Sequence, residues 1–249
     1  MKFLNYVVIR FSLKLKSDWG RNAFTDVKDR EAWFAMRAQI FKDYCYPSLA
    51  HQTTPAYKIF IFMDRDDTGL WEKYLALPPP FMPVFAEAGN LNNETKDLIN
   101  KGPKDNVVIS RIDSDDAVSF NYISCINEIA AQALANGDRK KYIVAANGFI
   151  TNGETIQSIY YNSSPFVSLF VKEYSGEVIY NFNHTNILDR NPLISESAMW
   201  MQVLHGTNSY NRFRTKSRFT SEDPRKMLPG PLLPVGSAWP ISFPPFVNR

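Results

Sequence analysis

Apolar runs of strand length recur along this chain, and the clearest of them end in charge. Tyr6–Phe11 (YVVIRF) carries Arg10 near its end. Tyr57–Met63 (YKIFIFM) runs into Asp64-Arg65-Asp66-Asp67, and Asn106–Ile112 (NVVISRI) runs into Asp113-Ser114-Asp115-Asp116. Runs this rich in β-branched and aromatic residues suit strands covered on both faces. Helical stretches separate them. Arg30–Leu49 places Trp33, Met36, Ala38, Ile40, Phe41 and Tyr44 at mixed i, i+3 and i+4 spacing, which predicts an amphipathic helix that ends before Pro47 or bends there. A helix over residues 70–77 is stopped by Pro78, Pro79 and Pro80, and Pro83–Phe85 reads as a short strand. Phe120–Leu134 reads as a helix closed by Asn136-Gly137. Such βα alternation predicts a mostly parallel sheet flanked by helices. In open sheets of this kind ligands sit outside the carboxyl ends of the strands, where both acidic clusters fall.

Beyond about residue 135 the pattern is strand-rich. Lys141–Ala145, Glu154–Tyr160 and Phe166–Val171 read as extended, with Glu177–Phe182 a further candidate. Asn147-Gly148 and Asn152-Gly153 are turn signals. Ser195–Leu204 (SESAMWMQVL) reads as a helix with Ser195 as cap and Glu196 in its first turn. The expected class is α/β, with a mixed second sheet in the C-terminal half.

A chain of 249 residues, 45% apolar and 21% charged, builds a core without disulfide or metal staples; its composition excludes a disordered tail and a polytopic membrane protein. Cys45 and Cys125 are isolated and give no zinc spacing. The opening MKFLNYVVIRF is broken by Asn5 and ended by Arg10, so it reads as a first strand and not as a leader. No window approaches the ~18–20 apolar residues of a membrane-spanning helix, and the expected location is the cytoplasm. The net charge of +3 is uneven: residues 210–249 hold seven basic and two acidic residues, and seven of the 16 prolines lie from Pro224 onward. That basic, then Pro-rich, end suits contact with an anionic group or peripheral contact with a membrane.

Three carboxylates within Asp113–Asp116 repel one another, and at the end of a buried strand they call for a cation. A hard divalent ion with oxygen ligands supplies one and bridges to a diphosphate; the alternative is a solvated acidic turn or a helix start. In the rival cluster Arg65 offers Asp64, Asp66 and Asp67 a counter-charge of their own, which favours a solvated turn, with Asp64 left as a candidate nucleotide contact. Arg10, inside an apolar strand, needs a carboxylate, phosphate or base as partner. His205 is a candidate third ligand beside an acidic metal site, and Glu196 a candidate general base. Residues 210–219 alternate basic and aromatic side chains, including Arg212 and Arg214, as a phosphate clamp would. Four cations are few for sequence-independent nucleic-acid binding, and no nucleic-acid partner is expected.

In order, VVIRFSL at 7–13, RAQIFKDYCYPSLAHQT at 37–53, YKIFIFMD at 57–64, SRIDSDDAV at 110–118 and AMWMQVLHGTN at 198–208 resemble the family of putative rhamnosyltransferases, nucleotide-sugar-dependent enzymes of the Rossmann-like GT-A fold type. The resemblance implies one glycosyltransferase domain over 1–210, its nucleotide-binding half about 1–118 and its acceptor half about 119–210, followed by the 211–249 extension. It implies a manganese or magnesium ion held by Asp115, by Asp113 directly or through water, and by His205. It implies a nucleotide-sugar pocket of Arg10, Asp64, Asp113 and Asp116, with Arg212 or Arg214 on the diphosphate. Glu196, with Asp189 behind it, is the implied base. The donor would be a dTDP-, UDP- or GDP-linked sugar, and the acceptor a glycan, free or lipid-linked, as in polysaccharide biosynthesis. A non-catalytic carbohydrate- or nucleotide-binding module on the same fold is the alternative.

Overall fold

The computed structural model describes residues 2–13, 29–87, 89–205, 212–218 and 223–234. Strand β1 (Leu4–Arg10) lies between β2 (Lys58–Asp64) and β4 (Asp105–Asp113), parallel to both, and β3 (Phe81–Ala86) extends the parallel set beyond β2. On the other side of β4 come antiparallel β9 (Val167–Glu173), then β6 (Lys140–Ala145), and β10 (Leu193–Ser195), which runs parallel to β6. The seven-stranded order is β10-β6-β9-β4-β1-β2-β3. The register sets Arg10 beside Asp113 on one side and Phe62 on the other, so Arg10, Asp113 and Asp64 come together at one edge of the sheet.

Alternation divides these strands between two cores. Val7, Ile9, Ile59, Ile61, Val108 and Ile112 face helices α1 (Arg30–Ile40) and α5 (Tyr122–Ala135), meeting Phe34, Ala38, Ile126 and Ala130. Tyr6, Val8, Phe60, Phe62, Val107 and Ile109 face the other way and are covered by residues 174–188, including Tyr174, Ile179 and Ile187. Glu177–Phe182 is therefore not the strand expected: it lies across the sheet as an irregular cover. Helix α4 (Leu91–Asn100), not anticipated from sequence, buries Leu91, Thr95 and Ile99 at i, i+4 and i+8. Short helices α2 (Tyr46–Ala50) and α3 (Thr68–Tyr74) complete the set.

The expected break at Pro47 takes a specific form. The chain passes from α1 through a π-helical turn, Phe41–Cys45, directly into α2, where Pro47 sits in the first turn. A proline has no N–H to donate and is tolerated there.

The second sheet, ordered β12-β8-β7-β11-β5, comprises β5 (Ala117–Val118), β7 (Asn147–Thr151), β8 (Thr155–Tyr161), β11 (Trp200–Val203) and β12 (Met227–Pro234). Two expectations are overturned here. Asn147-Gly148 is not a turn but the start of β7, whereas Asn152-Gly153 does turn the chain, with Gly153 at φ 90°. Ser195–Leu204 is not a helix: Ser195 ends β10, its Oγ accepts the Ala198 N–H at 3.0 Å, and Trp200–Val203 pairs parallel with β7 and antiparallel with β5. Both corrections have one cause. The Trp200 indole stacks on Phe166 (centroids 4.9 Å apart, planes at 10°) and its N–H donates to Ala145 O at 2.8 Å. A Cβ on Gly148 would stand 2.2 Å from that indole, so only glycine leaves room for it. Part of the expected C-terminal extension joins this sheet, for β12 pairs antiparallel with β8 around a register shift between Pro229 and Leu232. Its prolines are tolerated at the sheet edge.

The Gly148→Ala variant is expected to lose about 1–3 kcal/mol of stability by overpacking against Trp200. Urea unfolding checks this, and an unchanged midpoint would contradict the packing described.

Candidate functional site

Strand β4 ends in a tight turn in which the Asp116 N–H donates to Asp113 O at 3.2 Å. The turn drives Ser114, Asp115 and Asp116 inward over α1. Arg37, on the inner side of that helix, answers them: Nη1 donates to Asp115 Oδ2 at 3.1 Å and Nη2 to Ser114 Oγ at 2.7 Å. His205, just past β11, brings Nε2 to 2.9 Å from the same Asp115 oxygen and 3.3 Å from Arg37 Nη1. The side chains of Arg37, Asp115 and His205 are only 10%, 15% and 12% exposed.

The acidic cluster is therefore not three crowded anions awaiting an outside charge. Burial pushes the Asp115 carboxyl up, but the His205 hydrogen bond and the Arg37 guanidinium outweigh it and hold the group well below the usual carboxylate range. Burial, then the neighbouring charges of Asp115 and Asp113, push the Asp116 carboxyl well above its ordinary value. Asp116 is 1% exposed, and its Oδ1 accepts the Val203 N–H at 3.3 Å. It fastens β11 to the turn, behind the Asp115 carboxylate; the expectation for it was a place behind the ligands or a sugar contact. Cys45 lies nearby as an inert thiol, pushed well up by burial and by the Asp116, Asp115 and Asp113 carboxyls.

The rival cluster is also neutralised from within, though not by Arg65 as expected. Arg65 pairs with exposed Glu87 at 2.9 Å. Buried Asp67 takes Arg30 Nε at 3.0 Å and the Ser12 hydroxyl at 2.6 Å. Asp64 Oδ1 accepts the Asp66 N–H at 3.3 Å, which leaves its carboxyl at the end of β2.

On the other face of the same strand ends, Arg111 lies over the Tyr180 ring at 4.7 Å, and the Tyr180 hydroxyl donates to Val8 O at 3.2 Å. Beside them is His184, at the start of a 3-10 helix over His184–Arg190, with Nδ1 2.7 Å from Ser163 O. That carbonyl can only accept, so Nδ1 carries the proton and Nε2 presents a lone pair. Burial pushes the His184 pKa down to about 4; the Ser163 hydrogen bond opposes the shift, the Arg111 charge adds to it, and Asp113 counters it.

A family model described as "Putative rhamnosyl transferase" matches residues 8–217. The chain belongs to this putative rhamnosyl transferase family. No curated protein sequence matches it. Among solved structures, S. aureus TarS 1–349 in complex with UDP-GlcNAc is 14% identical, with 85% of this chain and 62% of that one covered and a TM-score of 0.44. S. aureus TarS is 15% identical over 59% of this chain and 22% of that one, TM-score 0.30. The 4-diphosphocytidyl-2C-methyl-D-erythritol synthase of Anaerococcus prevotii is 10% identical over 82% and 88%, TM-score 0.35. The chain spans less than two thirds of the length of either TarS structure.

The fit of a divalent ion can be tested on the donor set. Two adjacent ligands of a six-coordinate ion with bonds of about 2.1 Å stand about 3 Å apart. Asp115 Oδ2 and His205 Nε2, 2.9 Å apart, meet that spacing. Nε2 cannot both donate to Asp115 and accept from Arg37, and an ion bonded to both Asp115 Oδ2 and Nε2 would sit to one side of the line between them, in place of the hydrogen bond. Among the described residues no group of three or more His, Cys, Asp or Glu side chains is arranged to hold a metal ion. The pair thus fits two positions, and the others would fall to water or a bound phosphate.

The remaining expected residues are scattered. Glu196 follows β10 at the same sheet edge, exposed, and its carbonyl accepts from Asn147 Nδ2 at 2.8 Å. Asp189 is exposed on the 3-10 helix, and no hydrogen bond or ion pair among the described residues links either carboxylate to Asp115. Gln157 clamps the backbone of Arg214, donating to its O at 2.7 Å and accepting its N–H at 2.8 Å. Burial, then Arg218 and Arg212, push the Arg214 pKa down, and Arg214 Nε is buried without a hydrogen-bond partner among the described residues. No membrane-spanning helix occurs among the described residues.

Sequence reading missed Arg37 and His184. Arg37 had a signal: it sits at i+3 from Phe34, beside the buried stripe Phe34–Ala38–Phe41–Cys45, where an apolar residue is expected. His184 had none.

Arg37→Met is expected to cost about 3–5 kcal/mol, because it strands a buried carboxylate. Arg37→Met/Asp115→Asn should recover most of that loss in denaturant melts, and a single variant as stable as the wild type would contradict the pairing. A second expectation concerns acid. The unfolded chain protonates His184 near 6.5 and the folded chain only near 4, so stability falls as pH drops through that window. His184→Gln should flatten this slope between pH 6.5 and 4 in thermal melts; an unaltered slope would show that the imidazole is not held neutral.

Proposed function

We propose that this chain is a metal-dependent glycosyltransferase that moves a sugar from a nucleotide diphosphate to a hydroxyl acceptor. The observation that carries the reading is the Asp115–His205 pair at ligand spacing, just past the carboxyl end of β4, the strand whose Asp113 lies in register with Arg10. Family membership supports the reaction class. Rhamnose as the transferred sugar rests on the family's name alone.

Asp115 and His205 would hold the ion, with Asp113 on its water. When bound, such an ion takes up the negative charge that grows on the leaving diphosphate. Arg10 and Asp64 bracket the nucleotide at the ends of β1 and β2. Arg37 keeps Asp115 ionised and oriented without competing for the sugar, and is a positioning residue. Arg212 and Arg214, brought against β8 by the Gln157 clamp, add charge for the diphosphate. Glu196, at the end of β10 and in water, is placed to take the acceptor's proton.

Titration of the full chain with dTDP-, UDP- and GDP-sugars, with Mn²⁺ or with EDTA, tests this. One donor should bind only with the metal present. Asp115→Asn should lose that binding, and Glu196→Gln should keep it while losing ~10²–10⁴-fold in transfer. Undiminished turnover of Asp115→Asn in EDTA would sink the proposal.

A further inference from the structure

The edge of the first sheet at which its parallel strands begin lies at the far end from Arg10 and Asp113, about 20 Å away along β1. Lysines stand there on five neighbouring strands. Lys2 precedes β1, Lys58 opens β2, Lys104 precedes β4, and Lys140 and Lys141 open β6. Strand β9 runs the other way and brings Lys172 to the same edge, because Lys140 is in register with Val171 and Asp105 with Glu173. Backbone bonds tie the row together: the Tyr174 N–H donates to Lys104 O at 2.9 Å and the Lys172 N–H to Arg139 O at 2.8 Å. Five strands make the row about 19 Å wide.

These lysines are not engaged within the protein. None forms an ion pair or a side-chain hydrogen bond among the described residues. With Lys101, the C-cap of α4, and Arg139, eight cations gather against four carboxylates, Asp105, Asp138, Glu173 and Glu177. The excess is larger than the +3 of the entire chain. Two of the four carboxylates are already occupied. Glu173 takes Arg139 at 2.6 Å, and Glu177 accepts the Ser175 N–H and hydroxyl at 2.9 and 3.1 Å. A lysine at one strand end is ordinary, but on five strands in a row lysines create a field.

The chemistry of the row indicates its partner. Arginine forks grip single phosphates bidentately and dominate the reading of nucleic acids, whereas an ammonium is a hydrated point charge. A row of lysines whose one arginine is already paired suits spread negative charge, not one docked phosphate. Beside it the Tyr57 ring is 43% exposed. The Tyr57 N–H donates to Asn5 O at 2.7 Å, and Lys58 Nζ lies 5.7 Å from the ring centre. Tyrosine beside lysine is a pairing characteristic of the headgroup level of a bilayer.

We propose that this lysine edge docks the protein on an anionic lipid surface, with Tyr57 among the headgroups. The Asp115 corner, at the other end of the sheet, then faces away from the bilayer. This surface is distinct from the basic C-terminal segment, and its assignment does not depend on the glycosyltransferase reading.

Flotation of the full chain at about 0.15 M salt tests it, with vesicles of phosphatidylcholine and with vesicles of equal parts phosphatidylcholine and phosphatidylglycerol. The protein should float with the anionic vesicles only, and less as salt rises. Lys104→Glu/Lys140→Glu should weaken that binding more than about tenfold at an unchanged thermal midpoint, and Lys2→Glu/Lys101→Glu serves if the first pair does not fold. Lys216→Glu/Lys226→Glu, at two exposed lysines of the C-terminal segment, should bind as the wild type does. Failure to float with anionic vesicles, equal flotation with neutral ones, wild-type binding in both edge variants, or loss of binding in the C-terminal pair would overturn the proposal. So would a DNA duplex that strips the protein from the vesicles at equal phosphate, since the edge would then prefer a nucleic acid.

Discussion

Asp115 can be ionised in its sheltered position because Arg37 reaches it from α1 and His205 from the end of β11. Removing a carboxylate from water costs several kcal/mol, which is recovered only when partners with good geometry meet it. This one contact set links the end of β4, the inner side of a helix and the far end of the second sheet. Asp116, buried and accepting the Val203 N–H, closes the same corner. The corner therefore holds the Asp115 charge between a guanidinium and an imidazole.

The alternation of the strands distributes the chemistry around this corner. Arg10 and Asp113 lie side by side in register on the face that Tyr180 and His184 cover, while the Asp115 turn drops toward the helices on the other face. The strand ends thus carry an anion-attracting side and an ion-paired side around one edge. The second sheet closes the arrangement through β11, which delivers His205, and through β8, whose Gln157 holds the Arg214 segment.

Much of this was legible from sequence for a physical reason. A strand buried on both faces has few polar residues until it emerges, so Arg10, Asp64 and Asp113 marked the sheet edge directly. What was not legible depended on partners distant in the chain. Trp200, Met201 and Val203 fit a helix and a strand equally well, and the choice is made by the space above Gly148 and by Phe166. Arg37 was passed over because an arginine in an amphipathic helix is ordinarily solvated; only its place beside the Phe34–Ala38–Phe41 stripe set it apart. The acidic cluster was found, but its charge was misjudged, since repulsion among neighbours in sequence ignores a counter-ion 78 positions away. His184 carries no local pattern, and its hydrogen bond to Ser163 exists only in the folded chain.

The claim on which this account turns is that Asp115 and His205 open to share a divalent ion. Anomalous diffraction at the manganese edge, from crystals grown with Mn²⁺ and a nucleoside diphosphate, tests it most directly. The account predicts a single strong peak within bonding distance of Asp115 and His205 Nε2, with the diphosphate on its open side and Arg37 still at Ser114. A diphosphate bound at the strand ends with no peak there, and with Arg37, Asp115 and His205 still in mutual contact, would contradict it.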